Sequence, residues 1–356
     1  MELKNKPDMG KSLQRIEAWF NGELLDRPPV RFSQHNADFS ASRMLAGRTW
    51  KNLKEKWFDA EFQVEFFIQS IKGITFYGET FPVFWPNLGP NVYAAFHGAE
   101  LTFGEVTSWI EHCIDDCDDI AKLQFSTDNQ YFRQIENMTK LAIERAEGNY
   151  VVGYTDLHGS LDCVADWRDP QRLCLDLIDN PAKVHELVNK ANKNFLWVFD
   201  YFDSIIKKHG HLSVTWMGIP SRGKMHIPSC DFGSLISEEY FKEFYFPSLC
   251  AEVKHMDHNI FHLDGKGMIR HLDMILSVPQ VHAIQWVQGV GADAPIMQWI
   301  SLIKRVQRAG KGVVVDLQID ELDDFMREVR PNGIYLCIAA QPSVQQDIIK
   351  RLLKWK

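Results

Sequence analysis

Near the carboxyl-terminal third of the chain the run Asn259-Ile-Phe-His-Leu-Asp-Gly265 sets a histidine and an aspartate two residues apart. On a β-strand alternate side chains share a face, so His262 and Asp264 stand side by side. Such a pair can move protons or ligate a metal, and it equally fits a neutral histidine held by a carboxylate in a structural network. Cys337 closes a later apolar run, Gly333-Ile-Tyr-Leu-Cys-Ile-Ala-Ala340, where a soft thiolate could converge with an imidazole on one zinc. The stretch from Gly218 to Ser237 is rich in Gly and Pro and offers Arg222, Lys224, His226, Cys230 and Asp231, the composition of an active-site loop. A second loop, Phe81 to Gly98, gathers Phe81, Phe84, Trp85, Tyr93 and Phe96 around Asn87, and would line an apolar substrate pocket or pack as a lid.

Placing these groups together requires a scaffold with many strand ends on one side. Short β-branched or apolar runs bounded by turn residues recur eight times: PVRFSQ, GITFYGETF, YVVGYTDL, HLSVTWMG, NIFHLDG, VHAIQWVQG, GVVVDLQ and GIYLCIAA. Helical patterns separate them, notably residues 50–71, 118–147, 181–207, 237–256, 294–309 and 321–329. Alternation predicts a parallel sheet, and eight units favour closure into a (β/α)8 barrel. An open nucleotide-binding sheet loses its support, since neither GxGxxG after the first strand nor GxxxxGK[ST] occurs. We therefore expect one α/β barrel domain over residues 1–356, with residues 1–27 an amino-terminal helical extension whose amphipathic helix covers 12–21.

The strand ends of such a barrel carry His35, Glu79, Asp156 and His158, Trp216, His262 and Asp264, Gln285 and Trp286, Asp316 and Cys337. We expect His35, Gln285 and Trp286 to join Trp85, Asn87 and Tyr93 in binding substrate. The net charge of −8, from 39 Lys+Arg and 47 Asp+Glu, comes without a basic block, which argues against nucleic acid. No apolar run reaches membrane-spanning length, the amino terminus lacks a signal-peptide layout, and seven cysteines without a CxxC pair read as thiols, so a cytoplasmic enzyme is expected.

Four stretches in order along the chain resemble the uroporphyrinogen decarboxylase superfamily: RIEAWFNGELLDRPPVRF, LHGSLDCVADWRDPQRLCLDLIDNPAKVHELV, CDFGSLISEEYFKEFYFPSL and FHLDGKG. Decarboxylases of that superfamily carry a basic motif after the first strand, whereas RFSQHNADFSASR holds only Arg31 and Arg43, so the resemblance is nearer the corrinoid-dependent methyltransferases. It implies zinc, with His262 and Cys337 as ligands and His226 or Cys230 completing the set where Asp264 replaces a cysteine. It also implies a corrinoid on this or a separate protein, and a small O- or N-methylated substrate. Glu79 falls where the decarboxylases have a catalytic aspartate, and we place it with Asp231 and Asp264 as candidate acid–base groups. The competing reading is a metal-free carboxy-lyase acting on a small acid, with Arg222, Lys224 or Arg270 binding its carboxylate.

Overall fold

The central strands of the parallel sheet are short and largely buried on both faces, as parallel strands covered by helices must be. The computed structural model describes residues 2–33 and 38–356, so His35 lies outside the described residues. Its strands are β1 (Val30–Ser33), β2 (Val83–Phe84), β3 (Glu100–Phe103), β4 (Ser108–Glu111), β5 (Val151–Val152), β6 (Met225–His226), β7 (His258–Asp264), β8 (Ala283–Val287), β9 (Gly312–Leu317) and β10 (Ile334–Ala339). Six of them form one parallel sheet in the order β1-β10-β9-β8-β7-β6, curled into a half-barrel. A parallel pair, β2 with β5, lies beyond β1, and β3 and β4 form a separate hairpin. Hydrogen bonds outside the ladders link these pieces, among them Glu79 N to Val30 O, Tyr154 N to Val214 O and Met225 N to Ser213 Oγ.

Alternation along each strand sorts the side chains between two apolar layers. Ile260, Ala283, Val314, Tyr335 and Cys337 point to the inside of the curl, while Phe261, Leu263, Ile284, Trp286, Val315 and Leu336 face the surrounding helices. The inner layer is sealed at its amino-terminal end by helix Met9–Phe20, whose Met9, Leu13, Ile16 and Trp19 join the same cluster. The Trp19 indole donates to Gly333 O at 2.8 Å, and a Cβ on Gly312 would fall 2.9 Å from its ring, so only glycine fits there.

Several expected elements differ: the helix expected over 118–147 is a 3-10 turn, Cys117–Lys122, and a separate helix, Gln130–Ala146, and the one over 181–207 is two, Pro181–Asn192 and Phe195–Lys208. The run GITFYGETF forms no regular strand; Glu79 and Thr80 hydrogen-bond to β1, and the ladder begins later, at Val83. HLSVTWMG turns back on itself through the antiparallel bridge Ser213–Ser221, and the loop expected after it supplies β6, which pairs with β7. The helix expected over 50–71 is broken at Asp59, whose carboxylate caps the second half, Ala60–Ile71, by accepting from Phe62 N.

Candidate active site

The carboxyl end of β7 fixes the centre of the site. His262 continues the inward-facing row above Ile260, and its backbone N–H donates to Pro228 O at 2.9 Å, which draws the segment after β6 alongside. That pairing brings Asp231, on the turn Asp231–Leu235, up to His262 and Asp264: each of the three offers a ligand atom, all within 4.8 Å of one another. His262 Nδ1 lies 2.6 Å from Gln285 Oε1 on the neighbouring strand. With that oxygen as acceptor the ring carries its proton on Nδ1, leaving the Nε2 lone pair for a metal or a proton. The Trp216 ring stands perpendicular to His262 at 5.5 Å. Burial raises the Asp264 carboxyl, with His262 opposing and Asp231 reinforcing the shift, as expected where like charges share a site.

A second group adjoins the first. His158 Nε2 contacts Asp156 Oδ1 at 3.1 Å, and its Nδ1 lies 3.2 Å from Ser229 Oγ and 3.9 Å from Asp162 Oδ2. Asp162 accepts from Asp231 N at 3.0 Å and Phe232 N at 2.9 Å, so the two groups share one loop; His158, Asp162 and Asp231 form a further trio with metal-capable spacing. Ser160 begins helix Ser160–Arg168 with φ of 49°, a strained value for a residue with a side chain, and its buried hydroxyl lacks a partner. Burial works against the charge on His158, but Asp156, Asp162 and Asp231 outweigh it and raise the imidazole to about 10. Because this folded-state value exceeds the unfolded one of about 6.5, the group adds stability that is complete below pH ~6.5 and lost as pH rises toward 10. Urea unfolding of metal-free protein across that window should fall more steeply for the wild type than for His158→Asn; parallel curves would show that His158 is not held as a cation.

Sequence reasoning named Asp156 and His158 as strand-end groups but missed Asp162 and Ser229. The signal for Asp162 was present: in Asp156-Leu-His-Gly-Ser-Leu-Asp162 a strand spacing of two is followed by a helical spacing of four.

Several expected site residues lie elsewhere. Glu79 is fully buried, ion-paired to Arg27 at 2.7 Å and Arg15 at 3.1 Å, and accepts from Val30 N, which leaves its carboxylate engaged in the scaffold. Cys337 faces inward, but its sulfur accepts from Arg31 Nε at 3.0 Å, while Arg31 also donates to Met217 O. Burial pushes that thiol up to about 11 despite the guanidinium, and among the described residues no trio of ligand-type side chains includes it. His226 is enclosed by Phe195 and Phe199, and burial lowers it to about 3; Cys230 packs in the outer apolar layer with its thiol raised by burial. Trp286 points away from Gln285, onto Trp299, because neighbours on a strand alternate faces. Tyr93 is buried with its hydroxyl donating to Ala191 O at 2.6 Å. Trp85 and Asn87 do come together, lining an aromatic cavity of about 330 Å3 with Trp57, Phe62 and Phe66, which Asp231, His262 and Asp264 do not line.

The chain shares its fold with a methyltransferase. That protein, a methyltransferase from Methanosarcina mazei, superposes with a TM-score of 0.61 at 12% identity, covering 93% of each chain. No protein-family model matches the sequence, and no curated protein does. No helix among the described residues is long and apolar enough to cross a membrane.

Proposed function

We propose that this chain is a zinc-assisted methyltransferase that moves a methyl group between a small O- or N-methylated substrate and a corrinoid, on a closed (β/α)8 barrel of the uroporphyrinogen decarboxylase type. The Asp231–His262–Asp264 donor set at the carboxyl end of β7 carries this reading, and the methyltransferase fold supports it. One imidazole nitrogen and two carboxylate oxygens fit zinc with a position left open for substrate, and Gln285 supplies the partner that a ligating histidine needs on its other nitrogen. Cys337, claimed by Arg31, is not part of that set.

Zinc held by these three side chains would act as a Lewis acid on the heteroatom bearing the methyl group, with a corrinoid, carried here or on a separate protein, as the methyl partner. The protein's own work is positional and acid–base. Gln285 fixes the His262 ring, and the Trp216 ring walls one side of it. His158, protonated beside Asp156, can hand its proton to a departing oxygen or nitrogen, and a value of about 10 matches a phenol or amine leaving group. The carboxy-lyase reading loses two of its groups: Glu79 is engaged by Arg15 and Arg27, and Lys224 pairs with Asp200 at 2.7 Å.

Protein purified without chelator should contain close to one zinc per chain. Incubated with free cob(I)alamin and a panel of methoxy-aromatic, methylamine and methylthiol donors, it should yield the spectrum of methylcobalamin with an O- or N-methyl donor. Full transfer by metal-free protein would remove zinc from the mechanism, and no transfer with no bound metal would favour the lyase.

A further inference from the structure

Among the described residues, the buried carboxylates have partners with one exception. Arg15 and Arg27 hold Glu79, Lys140 holds Glu136, two backbone N–H groups hold Asp162, Arg168 holds Asp176 and Lys207 holds Asp203. Glu252, on helix Phe246–His255 and only 6% exposed, has neither a paired cation nor a hydrogen-bond donor. The nearest ring nitrogen, His226 Nε2, is 3.9 Å away, on an imidazole that burial keeps neutral. Burial without such partners raises its carboxyl to about 8, so the group is neutral at pH 7 unless a cation beside it holds it ionised.

Glu252 lines a cavity of about 330 Å3 in the helical wall, and Asp231, His262 and Asp264 do not line it. Asn192, on helix Pro181–Asn192, lines the same cavity; its Nδ2 donates to Ser248 Oγ at 2.7 Å, while its buried Oδ1 has no partner. Phe195, Leu196 and Phe244 supply apolar walls. The π-helical turn Phe241–Tyr245 leads into the Glu252 helix, a distortion found often at functional sites, and the buried Tyr245 hydroxyl is likewise unpartnered. Such unmet groups in a native fold call for an occupant. The other polar lining groups are engaged or can donate, His185 with Glu243 at 3.1 Å, Asn189, and Ser248 with Asn192; the two that lack a partner, Glu252 and Asn192 Oδ1, both accept, so the occupant they fit donates, and a cation supplies the countercharge Glu252 lacks.

We infer that this cavity binds a small organic ammonium ion, its N–H groups on Glu252 and Asn192 Oδ1 and its carbon chain against Phe195, Leu196 and Phe244. The far side of the site touches the active-site loop, since a Cβ on Gly159, next to His158, would come 3.3 Å from Glu252 Oε1 and 2.8 Å from the Phe195 ring.

Isothermal titration of the full chain with n-butylammonium, with 1-pentanol as the neutral counterpart, tests the assignment without any methyl-transfer assay. Wild type should bind butylammonium saturably and pentanol at least about tenfold more weakly, and Glu252→Gln should weaken butylammonium by a similar factor, the loss expected for a charge-assisted hydrogen bond. Ala251 is exposed and lines the cavity, so Ala251→Trp should block binding without touching Glu252, which decides the matter should the glutamine variant fail to fold. A wild type without saturable binding, equal affinity for pentanol, or either variant binding like the wild type would each overturn the inference.

Discussion

His262→Ala is expected to release the bound zinc and to lower methyl transfer to cob(I)alamin by ~10²-fold or more, because it removes the single nitrogen donor from a three-residue set. Asp231→Ala and Asp264→Ala should behave alike, and Gln285→Ala should cost roughly tenfold in metal affinity by freeing the His262 ring. Cys337→Ser should keep both metal and activity close to the wild type, since its sulfur is spent on Arg31. Metal content and methylcobalamin formation, measured on the same preparations, check all five variants. Zinc retained in His262→Ala but lost in Cys337→Ser would restore the thiolate ligand expected from the sequence.

Glu79→Ala should cost about 3–5 kcal/mol of folding stability, because truncation leaves the Arg15 and Arg27 guanidiniums buried without their shared carboxylate. Arg15 retains Asp26 at 2.6 Å, so Arg27, 2% exposed, bears most of that loss. Urea denaturation followed by circular dichroism measures it. A variant with unchanged stability and abolished activity would instead assign Glu79 to the chemistry.

Both large effects turn on features the sequence exposes unequally. Alternation in NIFHLDG puts His262 and Asp264 on one face, as the structure has them, because a period of two survives the detail of tertiary packing. The same period separates Trp286 from Gln285, its strand-end neighbour, and turns its ring onto Trp299. The sequence puts Cys337 on the last strand but not beside Arg31, 306 positions earlier on β1, since which cation reaches a thiol depends on long-range register that local pattern does not encode. Glu79 was misjudged for a related reason: its partners come from the amino-terminal segment, and only the assembled structure sets Arg15 and Arg27 against it. The short β5, two residues long, and the bridge that turns Ser213 back to Ser221 have almost no periodic signal to read.

The Trp19–Gly333 bond spans 314 positions, and among the described residues the ladder partner of β1 is β10. During synthesis helix Met9–Phe20 and β1 are therefore without this docking surface until residues 333–339 have left the ribosome. Loop closure over that distance comes late and favours slow, chaperone-accessible folding. Carboxyl-terminal truncations that remove β10 would strand the opening helix with its apolar face uncovered, so such fragments should partition into inclusion bodies rather than yield a smaller working enzyme.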